Sequence, residues 1–206
     1  MNRDYLIATL RENQAIFGVQ IDDSLDQLAN YYDLILEHNP LLHLVAPCSP
    51  DEFATRHILE SLTMLEFLPT NATFIDVGSG GGMPAIPCLL VRPGLRAVLV
   101  ESKAKKAAFL DTAIRKLDIE KRAVVENKQF GETKVGDVQF VSCRALDKFT
   151  QHLPRLLKWA GKRQLLLFGG LTLQGLLQDY HVDLVQKLMP LSERRYLFVS
   201  KPKYRN

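Results

Sequence analysis

Cysteine is scarce in this 206-residue chain: Cys48, Cys88 and Cys143 form an odd, widely spaced set without a CxxC pair. That excludes a disulfide framework and a cysteine-rich zinc site, so three buried thiols and no bound metal are expected. Long apolar runs are missing too. No stretch approaches the roughly 20 residues of a membrane-spanning helix, and the opening MNRDYLIATLREN carries charge where a secretory signal would be apolar. The expectation is a cytoplasmic chain that meets no membrane. Neither sign of charge dominates, with 26 basic against 23 acidic residues and a net +3, so composition alone does not demand a polyanionic partner. There is no internal repeat, no low-complexity segment, no HxxxH pair and no recognisable Ser-His-Asp set.

What is present is apolar content of 47%, enough for a core in a chain of this length. Basic residues gather at Lys103, Lys105 and Lys106, at Arg115, Lys116, Lys121 and Arg122, and at Arg194, Arg195, Lys201, Lys203 and Arg205. These clusters suit either a solvated surface or a phosphate-binding face. Residues 1–70 read as a helical extension. Leu25, Leu28, Tyr32 and Ile35 recur at helical steps after Asp22, Asp23 and Ser24. Ser49, Pro50 and Glu52 predict a capping box at the next helix start, which Pro69 later stops. Residues 71–206 change character and predict a second region packed with the first as one unit. Strands are expected at 73–77, 96–100, 122–125, 137–141 and 164–168, with a helix over 103–117. Two more strands, within HVDLVQKLMP and RRYLFVSK, predict an antiparallel finish. The alternation implies an α/β fold, a mostly parallel sheet of seven strands covered by helices.

The most informative segment is Phe74-Ile75-Asp76-Val77-Gly78-Ser79-Gly80-Gly81-Gly82-Met83-Pro84. A strand runs into four glycines and Pro84 then opens a helix, so backbone can approach a ligand closely. The dinucleotide fingerprint GxGxxG would need glycine where Met83 stands, and a P-loop would need an absent GK[ST]. Asp76, Gly78, Gly80 and Gly82 instead form DxGxGxG, which resembles the first motif of class I S-adenosylmethionine methyltransferases. An acid at a strand end can favour the cationic amino acid portion of such a ligand. Glu101 ends the next strand, where a carboxylate can accept from both ribose hydroxyls; alone it would read as a solvated residue capping the next helix.

With those residues in view, the chain resembles the glucose-inhibited division protein B family, which methylates a guanine N7 in small-subunit (16S) ribosomal RNA. The likeness runs through Arg56-His57-Ile58-Leu59, residues 74–87, Arg92-Pro93, Ser102, Lys105, Phe109-Leu110, Arg144-Ala145, Arg195 and residues 197–199. It departs at His43-Leu44-Val45 where the family has Asn-Leu-Thr, and at Glu60 where it has Asp. Further departures are Lys128-Gln129-Phe130-Gly131 for Arg-Ala-Glu-Glu and Gly169-Gly170 for Lys-Gly. The resemblance implies a Rossmann-like methyltransferase fold with an N-terminal helical extension and an antiparallel C-terminal strand. It also implies S-adenosylmethionine as cofactor, and ribosomal RNA or the small ribosomal subunit as partner of a monomeric enzyme. Cofactor contacts are expected at Asp76, Gly78, Gly80, Gly82, Met83, Glu101, Gln129 and Arg144, and substrate contacts at Arg56, His57, Arg144 and Arg195. The catalytic residue is not assigned, because ring N7 carries no proton and orientation can supply the acceleration without a general base. The lack of an Asn/Asp-Pro-Pro-Tyr motif, which grips exocyclic amino groups, leans the same way. Cys143 follows the fourth strand, where cytosine-C5 enzymes place a nucleophile, but Ser142 replaces the proline of that motif. Three duller readings stay open: Arg144 in a structural salt bridge, His57 as a packed side chain, and Trp159 and Phe168 as core. So does a relative that binds the cofactor yet acts on another substrate or none.

Overall fold

A computed structural model describes residues 2–134, 136–144 and 149–201; Ala145, Lys203 and Arg205 lie outside the described residues. The chain opens with α1 (Asn2–Asn13) and α2 (Leu25–Leu42). A helical segment of changing pitch follows: α3 (Pro50–Glu52), a π-helical stretch (Phe53–Leu59), α4 (Glu60–Leu62) and a 3₁₀ turn (Thr63–Phe67). Leu25, Leu28, Tyr32 and Ile35 are all buried, as the stripe predicts, with Ala29, Tyr31 and Leu34 beside them. Half of the expected capping box forms: Ser49 Oγ accepts from the Glu52 N–H at 3.1 Å. The Glu52 carboxylate turns to Arg56 instead. The ion pair one helical turn ahead outcompetes the reciprocal bond.

The remaining chain alternates β1 (Thr73–Val77), α5 (Ala85–Val91), β2 (Arg96–Val100), α6 (Ala104–Lys116), β3 (Ala123–Glu126), β4 (Phe140–Arg144), α7 (Phe149–Ala160), β5 (Gln164–Gly169), α8 (Leu171–Asp179), β6 (Leu184–Leu188) and β7 (Tyr196–Ser200). The strands form one seven-stranded sheet ordered β3-β2-β1-β4-β5-β7-β6. All pairings are parallel except those of β7, which runs antiparallel to both β5 and β6. β1 and β2 match the expected residues. β3 sits one residue later than expected and β4 three, because Arg163 takes the carbonyls of Gly136 (2.7 Å) and Val138 (3.0 Å) that an earlier β4 would use. Pro84 caps α5 instead of opening it, since the Gly82 carbonyl already accepts the Ile86 N–H at 2.7 Å.

The two sheet faces are covered differently. One carries Phe74, Leu99, Leu166 and Leu197 against α1, α2, α5 and α6 in a continuous buried cluster. The other carries Ile75, Val141, Cys143 and Phe198 against α7 and α8. The order reverses between β1 and β4, and at such a switch point the carboxyl strand ends part to leave a ligand crevice. The glycine loop after β1 and Arg144 at the end of β4 both open there. No helix among the described residues is long and apolar enough to cross a membrane.

Candidate active site

The β1–β4 register places Asp76 opposite Ser142. Ser142 Oγ donates to Asp76 Oδ1 at 2.7 Å, while Oδ2 is buried with no hydrogen-bond partner among the described residues. A carboxylate wholly out of water is costly to ionise. Burial accordingly pushes Asp76 up to about 7, against the lowering effect of the Ser142 and Ser79 hydroxyls and of Arg144; the nearby Glu101 adds to the rise.

The following loop is built to bend. Gly78, Gly80 and Gly82 have φ of 71°, 55° and 97°, values that side chains resist. At Gly82 an added Cβ would also stand 2.4 Å from Ile86 Cδ1. The N–H groups of Gly78 and Ser79 bond back to the Val100 carbonyl at 2.9 and 3.1 Å, tying the loop to the end of β2. There Glu101, 6% exposed, accepts from the Gly80 N–H (2.9 Å) and from the Lys103 N–H (2.8 Å). Glu101 is thus no solvated helix cap: one oxygen holds the turn that leads into α6 and the other holds the glycine loop. Tyr31, absent from the sequence reading, donates its buried hydroxyl to the Gly81 carbonyl at 2.8 Å. Met83 is buried beside the loop. Gln129 is exposed and caps a 3₁₀ turn, with Glu132 returning a bond to its N–H at 3.3 Å.

S-adenosylmethionine fits this crevice on the chain's own terms. A buried carboxylate oxygen without a donor suits a cationic amino acid group, and Glu101 retains acceptor capacity at the second strand end. The left-handed glycines leave room for backbone approach.

The arginines and His57 form a second group at the end of β4. Arg144 donates to Ser61 Oγ (3.0 Å), the Arg56 carbonyl (2.5 Å) and Glu60 Oε2 (3.4 Å), and lies 5.5 Å from the Phe168 ring centroid. The salt-bridge reading of Arg144 thus describes its present contacts. Arg195 Nε reaches Glu60 Oε1 at 2.7 Å. His57 packs on Phe53 with ring centroids 5.1 Å apart, and burial, followed by Arg144, Arg56 and Arg195, pushes it down to about 3. Glu60 is the side chain that joins this group, and the sequence signalled it only as a departure from the family pattern. Cys143 is buried on the opposite face from Asp76, within the core under α7 and α8. Cys88 is also buried, whereas Cys48 is only half-buried, so the buried-thiol expectation fails there: Cys48 lies in the loop between α2 and α3.

A family model described as GidB, rRNA small subunit methyltransferase G, matches residues 24–189. The chain belongs to this family. A ribosomal RNA small subunit methyltransferase G from Neisseria meningitidis serogroup C is 33% identical over 189 residues, covering 87% of this chain and 89% of the relative. Its counterpart from Pelotomaculum thermopropionicum is 41% identical over 118 residues, covering 56% of this chain and about half, 49%, of the relative. Among solved structures, the Bacillus subtilis tRNA methyltransferase TrmK superposes with a TM-score of 0.54 at 16% identity, covering 68% of this chain and 64% of that one. That likeness concerns the fold alone: a Rossmann-like methyltransferase sheet, here with β7 reversed.

Proposed function

We propose that the chain methylates N7 of a guanine in 16S ribosomal RNA, using S-adenosylmethionine held between the ends of β1 and β2. Membership of the family makes it an S-adenosylmethionine-dependent ribosomal RNA methyltransferase and favours this reading over a relative with another substrate or none. The observation that carries the cofactor site is the buried Asp76 Oδ2, which has no hydrogen-bond partner among the described residues. In this reading Asp76 takes the cationic amino acid end, and Gly78, Gly80, Gly82 and Met83 line the chain. Glu101 receives the ribose, and Gln129 stands at the adenine side. When bound, the cofactor supplies an electrophilic methyl group on a sulfonium.

The chain's own residues have little proton chemistry to do. Guanine N7 offers a lone pair and no proton, so alignment and exclusion of water are the main requirements. His57, held neutral at about 3 by burial and three arginines, is suited to packing more than to base catalysis. Arg144 stiffens the crevice through its contacts with Glu60 and Ser61, and Arg56 and Arg195 stand on the substrate side. We take residues 1–70 as an extension packed on the domain of residues 71–206. We also take the enzyme as a cytoplasmic monomer acting on ribosomal RNA or the small subunit.

The test is calorimetric titration of S-adenosylmethionine into wild type and Asp76→Ala, followed by labelled-methyl transfer to small-subunit RNA with mapping of the product base. Binding lost in the variant, with label on guanine N7 in wild type, is the expected result. Label on another base would overturn the target, and absence of cofactor binding in wild type would overturn the site.

A further inference from the structure

The three arginines around Glu60 use their donors unequally. Arg144 is committed to Ser61, the Arg56 carbonyl and Glu60. The Arg195 side chain makes a single hydrogen bond among the described residues, Nε to Glu60 Oε1, and is 32% exposed. Arg56, 45% exposed, gives one Nη to Glu52. Glu60 itself is only 2% exposed, with each carboxylate oxygen given to a different arginine. Three guanidiniums thus face the two carboxylates of Glu52 and Glu60, leaving one positive charge in excess. The depressed His57 lies in the field of all three and adds no charge of its own. The group borders the cofactor loop, since Arg144 acts electrostatically on both Asp76 and Tyr31. A fixed, partly exposed guanidinium with unused Nη donors is suited to a phosphate, which it can bind through two parallel bonds.

We propose that Glu60 is a positioning residue for a phosphate-binding site: it fixes Arg195 directly and, through Arg144, the backbone at Arg56, whose guanidinium is held by Glu52, so that both guanidiniums meet a backbone phosphodiester of the RNA strand beside the cofactor. The inference rests on the RNA reading above. Position and charge make opposite forecasts for one substitution. Glu60→Gln removes a negative charge, so charge alone would tighten RNA binding. Loss of positioning would weaken it.

The experiment compares wild type, Glu60→Gln, Glu60→Asp, Arg195→Ala and Arg195→Lys. For each, affinity for a small-subunit RNA transcript is measured over a range of salt concentrations, beside calorimetric affinity for S-adenosylmethionine and thermal unfolding. Arg195→Ala is expected to bind RNA about tenfold more weakly, with a salt slope shallower by about 0.7–0.9, the share of one phosphate contact. Arg195→Lys keeps the charge but loses the fork, and is expected to weaken binding while leaving most of the slope. Glu60→Gln should bind RNA several-fold more weakly, with Glu60→Asp recovering most of the loss and cofactor affinity staying within about twofold in every variant. Tighter RNA binding by Glu60→Gln would overturn the proposal. So would an unchanged salt slope in Arg195→Ala with only a lower unfolding temperature, the mark of a merely structural pair. If Glu60→Gln does not fold, the two Arg195 variants decide by the same criteria. Wild type that binds no small-subunit RNA would overturn the RNA reading and this inference together, whereas wild-type binding indifferent to Arg195 overturns this inference alone.

Discussion

Asp76 is held between two opposing demands. In the proposed reading its carboxylate meets a cation, yet in the protein alone the charge is buried beside Glu101, and its proton is retained up to about pH 7. Between the ordinary carboxylate value of 3.8 and about 7, the folded chain keeps a proton that the unfolded chain has released. The contribution of Asp76 to stability is therefore largest below that window and falls as pH rises through it, by up to about 1.4 kcal/mol per pH unit. Differential scanning calorimetry of the ligand-free protein should show this decline flattened in Asp76→Asn. Cofactor affinity should run the other way: in wild type it weakens as pH falls below about 7, when the carboxylate meeting the cation is neutralised. Asp76→Asn should bind at least tenfold more weakly, with little pH dependence, as titration calorimetry at several pH values would reveal.

At the scale of elements, the site is held by contacts between segments remote in sequence. Tyr31 on α2 anchors the Gly81 carbonyl, 50 residues away. Tyr31→Phe should lower stability by about 0.5–1.5 kcal/mol in denaturant unfolding and weaken cofactor binding several-fold, because the loop loses a buried hydrogen bond to α2. This residue also shows where reading the sequence stops. The glycines and the two carboxylates were legible because a strand running into DxGxGxG, with an acid ending the next strand, leaves few alternatives. Tyr31 carries no such signal: the helical period places it beside the apolar stripe, and its hydroxyl matters only through a partner brought up by folding. β4 was misplaced for a related reason. Ser142 is polar inside a buried strand and looks like a strand end, whereas its hydroxyl is consumed by Asp76. The helices α7 and α8 followed from the alternation without being located one by one. The π-helical stretch, an i→i+5 pattern seen where the Glu60 N–H reaches the Thr55 carbonyl, has no sequence signature, although it carries Arg56 and His57.

For the whole molecule, the N-terminal helices are structural partners of the sheet. Leu6, Leu10, Phe17 and Ile21, each no more than 3% exposed, belong to the same buried cluster as Phe74, Leu99 and Leu197. Deleting residues 1–24 should therefore abolish cooperative folding, where full-length protein should give one calorimetric transition with matching calorimetric and van't Hoff enthalpies. A deletion variant that still unfolds cooperatively and binds cofactor would contradict that unity.

The reversed β7 has a consequence for how such a chain is made. Translation delivers β5, α8 and β6 before β7, yet β7 is the strand that lies between β5 and β6. Until Tyr196–Ser200 arrives, β5 keeps an open hydrogen-bonding edge and β6 has no neighbour in the sheet. An unpaired edge of that kind invites association with other chains. The nascent polypeptide must thus hold an unfinished sheet while its later residues are still being synthesised. A chain whose family modifies ribosomal RNA thus joins β6 to its own sheet only after β7 has followed it out of a ribosome.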